Sequence, residues 1–170
     1  MDNKAIENIT ESILRYRGMV FRVALGYVRN THDADDVAQN VFVKLIKAGK
    51  TFVSPEAEKA WLIRVTVNES KNLLTSAWHR RTTAFPDNDS LVMPFSDDLR
   101  LYDYVRELKP KYRTVIYLYY YERYTAKEIA SILRIPQATV ATQLHRAREQ
   151  LKKLIESEDD SNGKEIYRAI

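Results

Sequence analysis

The stretch Tyr124-Thr125-Ala126-Lys127-Glu128-Ile129-Ala130-Ser131-Ile132-Leu133-Arg134-Ile135-Pro136-Gln137-Ala138-Thr139-Val140 reads as a short helix, a tight turn and the start of a second helix. Thr125 is placed to cap the first helix, and Glu128, three residues on, can reach back to it as the other half of a capping box. Ile129, Ile132 and Leu133 mark its buried face, and Arg134-Ile135-Pro136 makes the turn. Val140, Leu144, Ala147, Leu151 and Leu154 then recur at helical spacing, so the opposite face presents Ala141, Thr142, His145, Arg146 and Arg148. This is the layout of a DNA-binding helix-turn-helix, whose second helix is sized for the major groove.

Charge is segregated around this motif. Residues 127–153 carry Lys127, Arg134, Arg146, Arg148, Lys152 and Lys153 against Glu128 and Glu149, whereas Asp87, Asp89, Asp97 and Asp98 cluster further upstream. The net charge of +4 over 170 residues suits a nucleic-acid partner but carries little weight alone. With no cysteine there is neither a disulfide framework nor a thiolate metal site, and His32, His79 and His145 lie far apart. A metal enzyme is therefore disfavoured, and no cofactor is implied. The polar start, Met1-Asp2-Asn3-Lys4-Ala5-Ile6-Glu7, lacks an apolar signal core, and no window approaches the roughly 18 apolar residues of a membrane span. A cytoplasmic protein without membrane insertion is expected.

Few glycines and prolines interrupt the chain, and the intervening segments show helical periodicity, which predicts an all-α fold. A first helix is expected over 6–28, with Ile9, Ile13, Tyr16, Val20, Val23, Ala24 and Tyr27 as its apolar stripe. After a break at Asn30-Thr31-His32, Asp33 caps a second helix that runs through Val37, Val41, Phe42, Leu45 and Ile46 to Gly49. Ser54-Pro55-Glu56 starts a third, to about residue 81, with Trp61, Leu62, Val65, Leu73 and Leu74 as its apolar residues. Its β-branched run, Ile63, Val65, Thr66 and Val67, would also suit a strand, but the start signal favours helix. Residues 82–97 lose periodicity and read as a linker between two small helical domains, 1–81 and 98–156. The second domain, with four helices, would hold helices over 98–108 and 110–121 before the helix-turn-helix. Residues 157–170 read as a flexible tail. The tyrosines at 117, 119, 120, 121 and 124 are assigned to the core.

Three motifs, taken together and in order, resemble those of extracytoplasmic-function (ECF) sigma factors of the sigma-70 family. The first is Asp33-Ala34-Asp35-Asp36-Val37-Ala38-Gln39-Asn40-Val41-Phe42, similar to the family's Asp-Ala-Glu-Asp-Leu-Val-Gln-Glu-x-Phe. The second is Ala60-Trp61-Leu62 with Asn68, Asn72 and Arg80-Arg81. The third runs from Leu108-Lys109-Pro110-Lys111-Tyr112-Arg113 to Arg146-Ala147-Arg148, and the resemblance covers about residues 12–155. It implies a non-enzymatic specificity subunit that binds core RNA polymerase and directs it to promoter DNA.

On its residues alone, the acidic helix start is explained by charge–dipole stabilisation. The resemblance instead implies that Asp33, Asp35, Asp36, Gln39 and Asn40 dock on basic clamp helices of the polymerase, with Asp36 and Gln39 the leading candidates. The third helix interleaves cations, amides and aromatics, a mixture suited to unpaired bases and phosphates. By resemblance, Lys50, Thr51, Asn68, Asn72, Trp78, His79, Arg80 and Arg81 would hold open the minus-ten element, and trapped bases, not covalent chemistry, would melt it. Trp61 itself reads as core. Thr139, Ala141, Thr142, Gln143, His145, Arg146 and Arg148 would read the minus-thirty-five element. Here the chain departs from the family, in which basic residues are common at the positions of Ala141 and Gln143 and glycine is usual at that of Arg134, so no consensus promoter is carried over. An anti-sigma factor is a further partner compatible with the linker.

Two other classes compete. A free-standing helix-turn-helix regulator would need a ligand pocket or dimer surface in its first domain and leaves the acidic helix unexplained. A small nucleic-acid enzyme would need converging carboxylates, whereas those at 33, 35 and 36 sit on one helix start.

Overall fold

The computed structural model describes residues 3–80 and 99–157, all of them in helices or the turns between helices. The chain divides into two compact units, Met1–Asp89 and Ser90–Ile170. The linker expected at 82–97 and the tail beyond Ser157 lie outside the described residues.

The first unit packs three long helices, α1 (Asn3–Val28), α2 (Thr31–Ala48) and α3 (Pro55–Arg80), each against the other two. Its core is built from Val20, Val23 and Ala24 of α1, Ala34, Val37, Val41 and Leu45 of α2, and Leu62, Ile63 and Val67 of α3. Each fully buried Leu, Ile or Val contributes about 1.5–3 kcal/mol relative to exposure. The turn from α1 to α2 uses Arg29 in the left-handed region, with φ at 69°, and α2 starts three residues earlier than a cap at Asp33 predicts. Asn30, not Asp33, is its cap: the Asn30 Oδ1 accepts from the Asp33 N–H at 2.8 Å, and its Nδ2 donates to the Asp33 carboxylate at 2.7 Å. Gly49, with φ at 53°, ends α2 in the left-handed conformation that glycine adopts without a Cβ penalty.

The β-branched run of α3 is helical, as the start signal favoured: the Ser54 Oγ accepts from the Ala57 N–H at 3.1 Å. Its buried face differs from the expected one. Leu62, Ile63, Thr66, Val67 and Ser70 face the core, Trp61, Val65 and Leu73 are half-buried, and Leu74 is exposed. Two hydroxyls can occupy that face because each donates to a carbonyl one turn back, Thr66 to Leu62 at 2.7 Å and Ser70 to Thr66 at 2.8 Å. Across helices, Lys44 pairs with Glu69 at 2.5 Å, Ser12 donates to Glu58 at 2.6 Å, and the Tyr16 hydroxyl donates to the Pro55 carbonyl at 3.1 Å.

The second unit comprises α4 (Leu99–Glu107), α5 (Pro110–Ile116), a π-helical turn (Tyr117–Tyr121), α6 (Ala126–Leu133) and α7 (Gln137–Ser157). Val105, Leu108, Val115, Leu118, Ile129, Val140, Leu144, Leu151 and Ile155 make its core. The stripe of α7 thus ends on Ile155, with Leu154 only half-buried. The helix expected over 110–121 is α only to Ile116. The wider turn that follows inserts a residue, which rotates later side chains by about 100° relative to an unbroken α-helix. Tyr117 and Leu118 stay buried, Tyr119, Tyr120 and Tyr124 are half-buried, and Tyr121 is exposed, so only part of the tyrosine run is core.

Arg113 is buried, with 4% of its surface exposed, and donates to the carbonyls of Arg106 at 2.9 Å and Leu108 at 2.7 Å. It thereby satisfies the carbonyl end of α4 and ties α4 to α5.

Candidate nucleic-acid interface

In the second unit the capping box is complete. The Thr125 Oγ1 accepts from the Glu128 N–H at 3.3 Å, and the Glu128 carboxylate accepts from the Thr125 N–H and hydroxyl, each at 2.7 Å. Those donors, the hydroxyl foremost, hold the Glu128 carboxyl below its ordinary range. The turn from α6 to α7 passes through Arg134 with φ at 55°, and the Ile135 N–H donates to the Ala130 carbonyl at 3.1 Å. This left-handed residue explains why glycine is at home here, since an arginine pays a Cβ clash that glycine avoids. The Pro136 carbonyl then accepts from the Thr139 and Val140 N–H groups at 2.9 and 3.2 Å, starting α7.

Val140, Leu144, Ala147 and Leu151 point α7 into the core, which leaves Ala141, Thr142, His145 and Arg146 exposed along the opposite side. Thr139 and Gln143 are half-buried on the flank. The Thr142 hydroxyl donates to the Ala138 carbonyl at 2.8 Å, and His145 lies 3.6 Å from Glu149. Arg148 does not join the exposed group. It is half-buried, its Nε donates to the Tyr120 hydroxyl at 2.7 Å, and its guanidinium lies 5.4 and 5.5 Å from the rings of Tyr119 and Tyr120. The π-helical turn brings those rings to it, a contact that no helical reading of 110–121 foresees.

In the first unit Asp33 is half-buried and engaged by Asn30, while Asp35, Asp36, Gln39 and Asn40 are exposed. Val43 and Ile46, 43% and 41% exposed, extend the same face of α2 with apolar surface. Sequence reading passed over Val43 and counted Ile46 with the apolar residues of the helix, although each falls outside the 34, 37, 41, 45 core spacing. Phe42 is half-buried. His32, Asp33 and Asp36 bring possible metal-ligand atoms within 4.8 Å of one another at the head of α2. Two of the three, His32 and Asp36, are exposed, and Asp33 is already bonded to Asn30.

Asn68 and Asn72 are exposed on α3, one helical turn apart, on the face that also carries Trp61. Trp61 is half-buried and fastens the preceding loop: the Phe52 ring lies 5.7 Å from it, and the Lys50 ammonium sits 5.6 Å over its face. Lys50 and Thr51 are exposed, and Val53, 98% exposed, forms the loop's tip. Sequence reading missed Val53, which follows Phe52 in an otherwise polar loop. A depression of about 350 Å³ beside the loop is lined by Asn8, Ser12, Lys50, Phe52, Val53 and Glu58 among others. The side chains of Trp78, His79 and Arg80, and Arg81 as a whole, lie outside the described residues.

Two family models match this chain, "Sigma-70 region 2" over residues 13–80 and "Sigma-70, region 4" over residues 98–151. The chain is 26% identical over 166 residues to the RNA polymerase sigma-H factor of Pseudomonas aeruginosa, covering 85% of this chain and 84% of that one. It is 29% identical over 142 residues to the RNA polymerase sigma factor SigV of Bacillus subtilis, covering 82% and 86%. Its fold is similar to that of the sigma factor RpoE of Bartonella quintana, solved with the anti-sigma factor NepR, at a TM-score of 0.69 and 17% identity over 90% of this chain and 99% of that one. The two matched regions occupy one compact unit each. The chain therefore belongs to the sigma-70 family: it is an extracytoplasmic-function sigma factor, a non-enzymatic subunit that directs RNA polymerase to promoters.

Proposed function

We propose that this sigma factor docks on core RNA polymerase through the exposed head of α2 and contacts promoter DNA with one surface from each unit. The observation that carries the reading is the division of α7. Its buried stripe leaves a continuous exposed strip, Ala141, Thr142, His145 and Arg146, over the part that a major groove would admit. In the first unit, Asp35, Asp36, Gln39 and Asn40 supply an accessible polar and acidic face for a basic partner helix. Lys50, Thr51, Asn68 and Asn72 supply the accessible part of the minus-ten surface, and the family resemblance adds Trp78, His79, Arg80 and Arg81 to it. At the minus-thirty-five surface Arg148 acts indirectly, holding α7 against the tyrosines of the π-helical turn. An anti-sigma protein is the regulatory partner, by likeness to the Bartonella sigma factor bound to NepR. No helix among the described residues is long and apolar enough to cross a membrane, in keeping with action in the bacterial cytoplasm.

Run-off transcription from fragmented DNA of the source organism, with core polymerase and at a stated moderate salt concentration, tests this reading. Start sites that depend on the chain are expected, and Asn68→Ala/Asn72→Ala should weaken them while leaving polymerase binding intact. No chain-dependent start site, with specific duplex binding by the protein alone, would return the free-standing regulator.

A further inference from the structure

Beside the exposed strip of α7 lies a cleft of about 280 Å³, open to solvent, lined by Lys111, Tyr112, Thr139, Thr142, Gln143 and Arg146, with Ala138 at its edge. Lys111 comes from the first turn of α5, outside the helix-turn-helix, and the fold alone brings it to the flank of α7. The lining combines two cations, three hydroxyls, of which that of Thr142 already donates to the Ala138 carbonyl, and an amide, and it contains no carboxylate. Among the described residues, neither Lys111 nor Arg146 forms a salt bridge, and the Lys111 ammonium rests 5.1 Å over the ring of Tyr112. An open cleft with two cations and neutral hydrogen-bonding groups suits a single anion of modest size.

We infer that Lys111 and Arg146 together hold one backbone phosphate of the duplex that α7 enters. This rests on the DNA-binding reading of α7 and deepens it. If Ala141, Thr142 and His145 face base edges, the flank bearing Thr139 and Gln143 faces the groove wall, which is sugar and phosphate. Lysine meets a phosphate as a point charge and arginine through its planar fork, so the pair grips the backbone without reading sequence. The inference moves Arg146 from base readout to positioning on the duplex. It also supplies, from α5, part of the positive charge missing at Ala141 and Gln143.

The test uses the full chain in holoenzyme with core polymerase and a labelled duplex carrying a promoter found by run-off transcription. One phosphate contact changes the slope of log affinity against log salt by about 0.9. Lys111→Ala should therefore lower that slope by about 0.9, so that between 50 and 200 mM salt the variant loses about 3.5-fold less affinity than the wild type. The weakening should be equal on the cognate duplex and on duplexes with single minus-thirty-five substitutions, and Lys111→Arg should restore it. Because both side chains share one phosphate, the double variant with Arg146→Ala should lose less than the sum of the two. Unchanged salt slope and affinity in Lys111→Ala, beside a weakened Arg146→Ala, would overturn the role of Lys111 and leave the DNA-binding reading standing. Altered base preference in Lys111→Ala would also overturn it. A wild-type holoenzyme without promoter affinity would overturn both.

Discussion

The two units solve the same packing problem with different materials. In the first, three helices of 26, 18 and 26 residues bury a large aliphatic surface, and the core hydroxyls of Thr66 and Ser70 bond within their own helix. In the second, α4, α5 and α6 are nine, seven and eight residues long, too short to be stable on their own. Specific polar contacts fasten them: Arg113 of α5 on carbonyls at the end of α4, the Thr125–Glu128 box at the start of α6, and Arg148 of α7 on Tyr120 of the π-helical turn. Apolar truncation should therefore damage the first unit most, and loss of a single polar group the second.

The largest effect is expected from Leu62→Ala, which removes a side chain with 0% exposure and should cost the first unit about 3 kcal/mol. Trp61 and Trp78, the only tryptophans of the chain, both lie in that unit, so their fluorescence in a urea titration reports it directly. Arg113→Met comes next. It leaves two carbonyls without their donor and should cost the second unit about 2 kcal/mol. Circular dichroism should then show early helix loss while the tryptophan transition stays in place. If Arg113→Met is neutral, the contrast between the units fails. Arg134→Gly should work in the opposite direction, stabilising the second unit by about 0.5 kcal/mol, because relief at φ 55° outweighs the looser unfolded chain.

Acid sensitivity gives the smallest effect. Glu56 and Glu128, one in each unit at a helix start, both have carboxyls held below their ordinary range, Glu56 by its own backbone N–H and then Ser54, Glu128 by Thr125. A depressed folded-state value means that the unfolded chain binds protons first as pH falls. The stabilisation is thus whole above the unfolded glutamate value of about 4.3 and is lost as pH falls through the lower folded value. Glu128→Gln should flatten that decline in the second unit and leave it unchanged in the first, measured by urea unfolding at neutral and acid pH.

Helix positions, the capping box and the exposed strip of α7 were legible in the sequence because each rests on spacing within one segment. What escaped it depends on contacts between segments or on backbone detail. The buried hydroxyls of Thr66 and Ser70 look polar until their back-bonds are seen, which is why Trp61 and Leu74 were placed in the core ahead of them. The π-helical turn has no periodic signature of its own, and it alone brings Tyr119 and Tyr120 to Arg148. Asn30 was read as a break because asparagine both ends and starts helices. Lys111 stands in the sequence only as part of the third motif, since nothing in its neighbours along the chain places it beside Arg146.

The central claim, that the exposed head of α2 is the polymerase-docking face, is tested most directly by binding of the Asp36→Ala/Gln39→Ala variant to core RNA polymerase in competition with the wild-type chain. Both side chains are exposed, so the variant should unfold at the same urea concentration as the wild type. Its affinity for core polymerase should nonetheless fall at least about tenfold, the equivalent of 1.4 kcal/mol. A variant that folds normally and competes as well as the wild type would contradict the account.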